Sequence, residues 1–204
     1  QLLVVSSWRE PDIWLELIDR YLIAAERAGI SPLICVNKVD LVEDPAELEL
    51  TLRPYHDLGH SVITASALVG QGLDELRQLL RDCTTLVVGL SGTGKSSLLS
   101  AVQPGLRLRT AQVSESSGQG RHTTSQARLL KLDIGGYVAD TPGIREFGLW
   151  HMTPQEIEYG FREIRDLIGH CKFRNCSHMG DPGCAIAQAA EDGRISTERL
   201  KSFN

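Results

Sequence analysis

The chain has 204 residues, 42% of them apolar and 23% charged, which corresponds to one α/β domain of roughly 150 residues plus an appendage. Intrinsic disorder, fibrous repeats and two large domains are excluded by that composition. With 21 basic and 26 acidic side chains the formal charge is -5, so bulk attraction to nucleic acid is excluded and any such contact has to be local.

No apolar run approaches the length of a membrane span, and the first residues lack the basic start and cleavage site of a signal peptide. A cytoplasmic protein without a membrane partner is expected. The chain opens at Gln1 rather than Met, directly into an apolar run, so an upstream piece is expected. The five cysteines are an odd number that suits no closed set of disulfides. Cys35 and Cys83 adjoin apolar runs and read as small buried hydrophobes.

In chain order, residues 2–5 read as a strand. Trp14, Leu17, Ile18, Tyr21, Leu22 and Ala25 recur at helical spacing, after Pro11-Asp12 and before the stop signal Gly29. Residues 33–36 predict a second strand, 45–56 a second helix, 61–64 a third strand and 73–81 a third helix. A β-rich run at 84–88 ends in a glycine loop, and 95–102 resumes helical spacing. Residues 104–124 are rich in glycine and serine with little periodicity, and read as a loop able to move. Ala127-Leu129-Lys131 and Tyr137-Val138-Ala139 read as paired strands. This alternation predicts an α/β fold around a mostly parallel sheet over residues 1–150.

A second, helical region is expected over 151–204, continuing beyond Asn204. Thr153-Pro154-Gln155-Glu156 has capping-box spacing with proline at the first helical position. Ile157, Phe161, Ile164 and Ile168 then supply one apolar face before Gly169, and a closing helix is expected at 185–190.

Gly89-Leu90-Ser91-Gly92-Thr93-Gly94-Lys95-Ser96 fits G-x-x-x-x-G-K-[ST] between a strand and a helix. Glycines let successive N–H groups point at phosphate oxygens, Lys95 reaches the β and γ phosphates, Ser96 is placed to ligate Mg²⁺, and Ser97 continues the nucleotide-binding turn. Asn37-Lys38-Val39-Asp40 follows the second strand, where open α/β sheets bind ligands. A carboxylate at Asp40 accepts from the N1–H and exocyclic amine of guanine, a donor pair that adenine lacks. Ser66 and Ala67 after the third strand complete a guanine pocket, although alone they are ordinary turn residues. Asp140-Thr141-Pro142-Gly143 matches D-x-x-G: Asp140 is suited to hold Mg²⁺ through water and the Gly143 N–H to sense a γ-phosphate.

Two features depart from a standard GTPase. The guanine loop precedes the phosphate loop, so the domain reads as circularly permuted, which compact folds with neighbouring termini tolerate. Ile144 stands where Ras-type enzymes carry a water-orienting Gln. His122, in Gly120-Arg121-His122-Thr123-Thr124, is the candidate replacement, beside two threonines of which either could reach Mg²⁺.

Cys171-x₄-Cys176-x-His178-x₅-Cys184 offers the Cys₃His complement of a closed zinc site, with buried free thiols or a redox pair as the alternatives. Four protein ligands leave no open position, so a structural role is expected. His170 is a competing ligand, which the spacing disfavours. From Leu106 to Lys131 five basic residues, Arg107, Arg109, Arg121, Arg128 and Lys131, face one acidic residue, Glu115. That stretch is either a solvated face or a contact for rRNA phosphates. His56, His60 and His151 belong to no constellation.

The permuted order, Gly-Arg-His-Thr-Thr, Asp-Thr-Pro-Gly and the Cys/His cluster together resemble the circularly permuted, ribosome small-subunit-dependent GTPase family of bacteria, over nearly the whole chain. The resemblance implies a permuted P-loop GTPase domain preceded by an oligonucleotide-binding barrel and followed by a small α-helical zinc-binding domain, with His178 as the histidine ligand. It implies hydrolysis of GTP to GDP and phosphate, stimulated by the small ribosomal subunit and its rRNA during late maturation, with His122 as the catalytic residue. A GTP-gated switch in which hydrolysis serves only release is the alternative, and an ATPase or nucleotide kinase is a third, weaker reading. Nothing in the sequence calls for an oligomer, so a monomer is expected.

Overall fold

The computed structural model describes residues 1–106, 128–140 and 152–204. They fall into two compact units. The first comprises Gln1–Ile13, Leu33–Glu43 and the described part of Val62–Glu146, and the second comprises Trp14–Pro32, Asp44–Ser61 and the described part of Phe147–Asn204.

The first unit is built on a six-stranded sheet of β1 (Leu2–Ser7), β2 (Pro32–Asn37), β3 (Ser61–Thr64), β4 (Thr84–Val88), β5 (Arg128–Lys131) and β6 (Tyr137–Asp140). Their order is β3-β2-β1-β4-β6-β5. β1 runs parallel to β4, with Leu2 opposite Leu86 and Val4 opposite Val88. β4 runs parallel to β6, and β5 pairs antiparallel with β6 from Arg128 opposite Asp140 to Lys131 opposite Tyr137. β1 is buried along its whole length, its apolar Leu2 to Val5 lying between two neighbouring strands.

Period-two alternation sends Leu3 and Val5, Leu33 and Cys35, and Ile63 and Ala65 into one core. There they meet Leu73, Leu76 and Leu80 of α3 (Leu73–Leu80) and Leu98, Leu99 and Val102 of α4 (Lys95–Val102). Cys35 is fully buried there, and burial, with Glu75 adding to it, pushes its thiol up to about 12. It is the inert hydrophobe expected, whereas Cys83 is only half-buried. Arg77 of α3 donates from Nε to the carbonyl of Val102 at 3.1 Å and from Nη2 to that of Ala101 at 2.7 Å. A cation on the last carbonyls of α4 satisfies orphan acceptors and complements the helix dipole.

The second unit contains α1 (Leu15–Ala28), α2 (Pro45–Asp57), α5 (Pro154–Gly160), a 3₁₀ turn at Arg165–Leu167, α6 (Ala185–Glu191) and α7 (Thr197–Phe203). Ile18, Tyr21, Leu22 and Ala25 are buried on α1 at the expected spacing, and Gly29 closes the helix in the left-handed conformation with φ 64°. Trp14 lies outside that buried stripe at 43% exposure and takes the N-cap position. The capping box is present: Thr153 Oγ1 accepts from Glu156 N at 3.2 Å, and Glu156 Oε2 accepts from Thr153 N at 2.7 Å.

The apolar face that follows does not continue as one helix. α5 stops at Gly160, whose Cα sits so close to Ile23 that a Cβ would lie 2.6 Å from its Cγ2. Phe161 and Ile164 are buried after the break and Ile168 is 38% exposed. α7 lies beyond the last helix that the sequence predicts. Its Arg199 is buried, forking onto Glu163 at 2.6 Å and 3.1 Å and pairing with Asp19, which also accepts from the Tyr55 hydroxyl at 2.8 Å.

His60 lies in the same unit, with Nδ1 buried and without a hydrogen-bond partner among the described residues. Burial, then the Arg162 and Arg199 guanidinium groups, hold its imidazole down to about 4, against about 6.5 in an unfolded chain. The unfolded chain therefore binds the extra proton first, and stability is lost as pH falls from about 6.5 towards 4. A His60→Leu variant is expected to lose less stability than the parent across that window. Equal losses in urea titrations at the two pH limits would contradict the assignment.

Candidate nucleotide site and metal centre

The phosphate loop leaves the carboxyl end of β4 and the N-K-x-D loop leaves that of β2, on either side of the point where strand order reverses. Crevices at such points are where open α/β sheets hold ligands. Gly89 and Gly94 show why this loop is written in glycine. Gly89 has φ 136° and a Cβ there would lie 2.0 Å from the carbonyl oxygen of Val5, and Gly94 has φ 88° and a Cβ there would lie 2.2 Å from Asn37 Nδ2. Both a side chain and an ordinary φ are excluded at each.

Asn37 joins the three loops. It is 1% exposed, its Nδ2 donates to the carbonyl of Thr93 in the phosphate loop at 2.9 Å, and its Oδ1 accepts from the backbone N–H of Ala67 at 3.2 Å. Lys38 adopts the left-handed conformation, φ 62°, and donates from Nζ to the carbonyl of Glu10. Val39 is buried and its N–H donates to the Ala65 carbonyl at 3.2 Å. Asp40 is exposed, with one carboxylate oxygen accepting from the buried Ser66 hydroxyl. Ser66 is pinned in turn by its N–H to the Gln71 carbonyl at 3.0 Å.

Within the phosphate loop, Thr93 is buried and donates from its hydroxyl to the Leu90 carbonyl at 3.0 Å. The Lys95 ammonium donates to the carbonyls of Gly89 at 2.7 Å and Leu90 at 2.6 Å, and burial lowers its pKa. Ser91, Gly92 and Ser97 are exposed and Ser96 half-buried. Asp140 ends β6, beside the phosphate-loop strand β4. His122, Thr123, Thr124 and Gly143 lie outside the described residues.

Cys171, Cys176, His178 and Cys184 present ligand atoms that all lie within 4.8 Å of one another. His178 Nδ1 is 3.5 Å from the Sγ of both Cys171 and Cys184. Backbone N–H groups support the sulfurs, Ala185 N donating to Cys171 Sγ at 3.3 Å and Ala187 N to Cys184 Sγ at 3.4 Å. Burial raises the Cys184 thiol, but the Ala187 N–H at the start of α6 and His178 hold it down to about 7, while burial and the bonds to Cys171 and Cys184 push the Cys176 thiol up to about 12. Three sulfurs and one imidazole nitrogen converging this closely fit a soft, four-coordinate divalent ion. His170 is exposed and outside the cluster. Sequence reasoning missed Glu158, whose Oε1 lies 3.5 Å from His178 Nε2, because no local pattern ties residue 158 to 178.

A cavity of about 510 Å³ opens in the second unit, lined in part by Leu15, Pro54, Tyr55, Ser196 and Arg199. It shares no residue with either site, and its Arg199 is already committed to Glu163 and Asp19.

A phosphate loop bonded through Asn37 to an N-K-x-D loop, with the base-side strands first in sequence, defines a P-loop protein of the circularly permuted GTPase fold. A family model described as RsgA GTPase matches residues 1–150, and the chain belongs to that family. It is 54% identical over 207 residues to the small ribosomal subunit biogenesis GTPase RsgA of Marinobacter nauticus, covering 100% of this chain and 58% of the relative. It is 50% identical over 203 residues to the protein of the same name from Pseudomonas aeruginosa, covering 98% and 60%. The chain thus spans about three fifths of the length of the curated relatives it matches. Among solved structures, YjeQ from Thermotoga maritima superposes with a TM-score of 0.81 at 34% identity, covering 100% of this chain and 68% of that one. YloQ, titled a circularly permuted GTPase, gives 0.76 at 33% identity, covering 100% and 65%.

Proposed function

We propose that this chain is the GTP-hydrolysing part of a factor that acts on the small ribosomal subunit late in its maturation, stimulated by that subunit. The observation that supports the reading is Asn37, which bonds the base loop to the phosphate loop and so ties the two together. Asp40, oriented by Ser66, accepts from guanine. Phosphate oxygens take the Lys95 ammonium from the carbonyls of Gly89 and Leu90, and their charge favours its protonated form against the cost of burial. Backbone N–H groups of residues 90–96 and the amino end of α4 supply the remaining positive potential.

Mg²⁺, when bound, neutralises charge developing on the β and γ oxygens, and Ser96, either Thr123 or Thr124, and Asp140 through water would hold it. Gly143 contacts the γ-phosphate. His122 orients water for in-line attack; in a loose transition state positioning outweighs proton removal. Residues 1–150 form the GTPase domain. Residues 151–204, which share one compact unit with α1 and α2, form its helical appendage, in which Cys171, Cys176, His178 and Cys184 hold a structural Zn²⁺ that organises a segment too short for a core of its own. The partners are GTP or GDP and the subunit with its rRNA, reached by a monomer in the cytoplasm. Among the described residues no helix is long and apolar enough to cross a membrane.

GDP is expected to displace a labelled guanine nucleotide at least a hundredfold better than ADP; a preference for ADP would overturn the role of Asp40. His122→Ala in the full-length protein is expected to lower turnover on small subunits tenfold or more with GTP affinity within threefold, and unchanged turnover would remove His122 from the mechanism. If a non-hydrolysable analogue supports docking but blocks release, hydrolysis serves as the reset of a switch.

A further inference from the structure

We propose that Glu158 belongs to the metal centre as the residue that orients His178, an inference that rests on the zinc reading above. The two ring nitrogens of His178 face different partners. Nδ1 lies 3.5 Å from two cysteine sulfurs, and Nε2 lies 3.5 Å from a carboxylate oxygen of Glu158. A neutral imidazole has one lone pair to give, so a ring that presents Nδ1 to the metal carries its proton on Nε2, the nitrogen that faces Glu158. The two side chains are 11% and 18% exposed, so water competes poorly for that proton. Histidine ligands hold their tautomer and direction through such a carboxylate, which also raises ligand basicity.

The surroundings explain why outside support is needed and how α5 supplies it. His178 sits at φ 64° in a loop braced through its backbone: Asp181 Oδ2 accepts from Ser177 N at 2.8 Å and Ser177 Oγ at 2.6 Å, and Asp181 also takes the His178 backbone N–H. That clasp places the backbone and gives the ring no polar partner. Phe203 covers one side of the imidazole, with ring centroids 5.9 Å apart, but offers no polar partner. Glu158 comes from α5, whose first turn is fixed by the Thr153–Glu156 capping box, so the carboxylate arrives from a rigid element, as a supporting residue should.

The test compares the parent chain with Glu158→Ala and Glu158→Gln, measuring zinc affinity by competition with a chromophoric chelator and His178 ring protons by long-range ¹⁵N–¹H NMR. Loss of the carboxylate in E158A is expected to weaken zinc 10- to 100-fold, whereas E158Q, whose amide oxygen still accepts from Nε2–H, stays within about threefold of the parent. The Nε2 proton of the zinc-loaded parent is expected to exchange slowly and at least tenfold faster in E158A, with Nδ1 still bound. Zinc affinity of E158A within twofold of the parent, with unchanged proton exchange, would overturn the proposal. So would equal losses in E158A and E158Q matched by equal destabilisation of the metal-free protein, which would reduce Glu158 to packing. If E158A does not fold, exchange in E158Q decides, since an amide is a weaker acceptor: faster exchange supports the role and parental exchange refutes it. A parent that takes up no zinc would instead remove the zinc reading on which the proposal stands.

Discussion

Asn37→Ala is expected to weaken GDP binding by roughly 30- to 1,000-fold in isothermal titration, the largest functional effect of any single change outside the phosphate loop. The substitution removes the bonds to the Thr93 carbonyl and the Ala67 N–H and leaves both groups without that partner. At about 1–2 kcal/mol for each, the loss is about 2–4 kcal/mol, and every 1.4 kcal/mol is tenfold in affinity. On the proposed function the damage would reach base and phosphate together, because the same side chain bonds one loop to the other. Retention of affinity within threefold would show that the loops keep their spacing without it, and the central observation behind the proposed function would fall.

For stability the largest expected loss is at Arg199→Leu. Its guanidinium is 5% exposed and faces Asp19 and Glu163, themselves 2% and 8% exposed, and it lies over the rings of Phe161 at 4.7 Å and Tyr55 at 5.6 Å. Deleting one partner of a buried ionic group while leaving the others costs roughly 3–5 kcal/mol, a large part of the roughly 5–15 kcal/mol that holds a domain together. The loss has a pH signature. Burial pushes the Asp19 carboxyl up and Arg199 pulls it back down, so without Arg199 it rises further. The folded variant then binds its proton more tightly than the unfolded chain, and its deficit against the parent shrinks as pH falls towards the ordinary carboxylate range and grows as pH rises. Urea unfolding of both proteins at pH 5 and pH 7.5 measures this. An identical deficit at the two values would show that the lost packing, not the stranded carboxylates, carries the effect.

The sheet, the strand–loop–helix setting of the phosphate loop and the Cys/His cluster were legible because their signals are local. Strand, glycine loop and helix follow one another between Thr84 and Val102, and three cysteines and a histidine lie between residues 171 and 184, so spacing alone points to the chemistry. Elements bounded by punctuation were equally readable: Gly29 ends α1 and Thr153 opens α5 where they were expected. What stayed hidden depends on partners far along the chain. The Phe161 and Ile164 periodicity suggested a longer α5, but close packing of Gly160 on Ile23, 137 positions earlier, accompanies its end. Arg199 belongs to no motif; it is buried where Asp19, on α1, and Glu163 meet it. Glu158 carries no motif, since its partner is chosen by the fold of the cysteine loop.

The sheet order has a consequence for how the protein is made. β1, β2 and β3 with the base-side residues through Ala67 occupy positions 2–67, and β4, β5 and β6 with the described phosphate-side residues occupy 84–140; one ladder, Leu2 to Val4 against Leu86 to Val88, pairs a strand of the first set with one of the second. During translation the part that would read guanine emerges whole before the part that would grip phosphate exists. On the proposed function, a nascent chain would hold both loops of the site only once that ladder and the Asn37–Thr93 bond have formed.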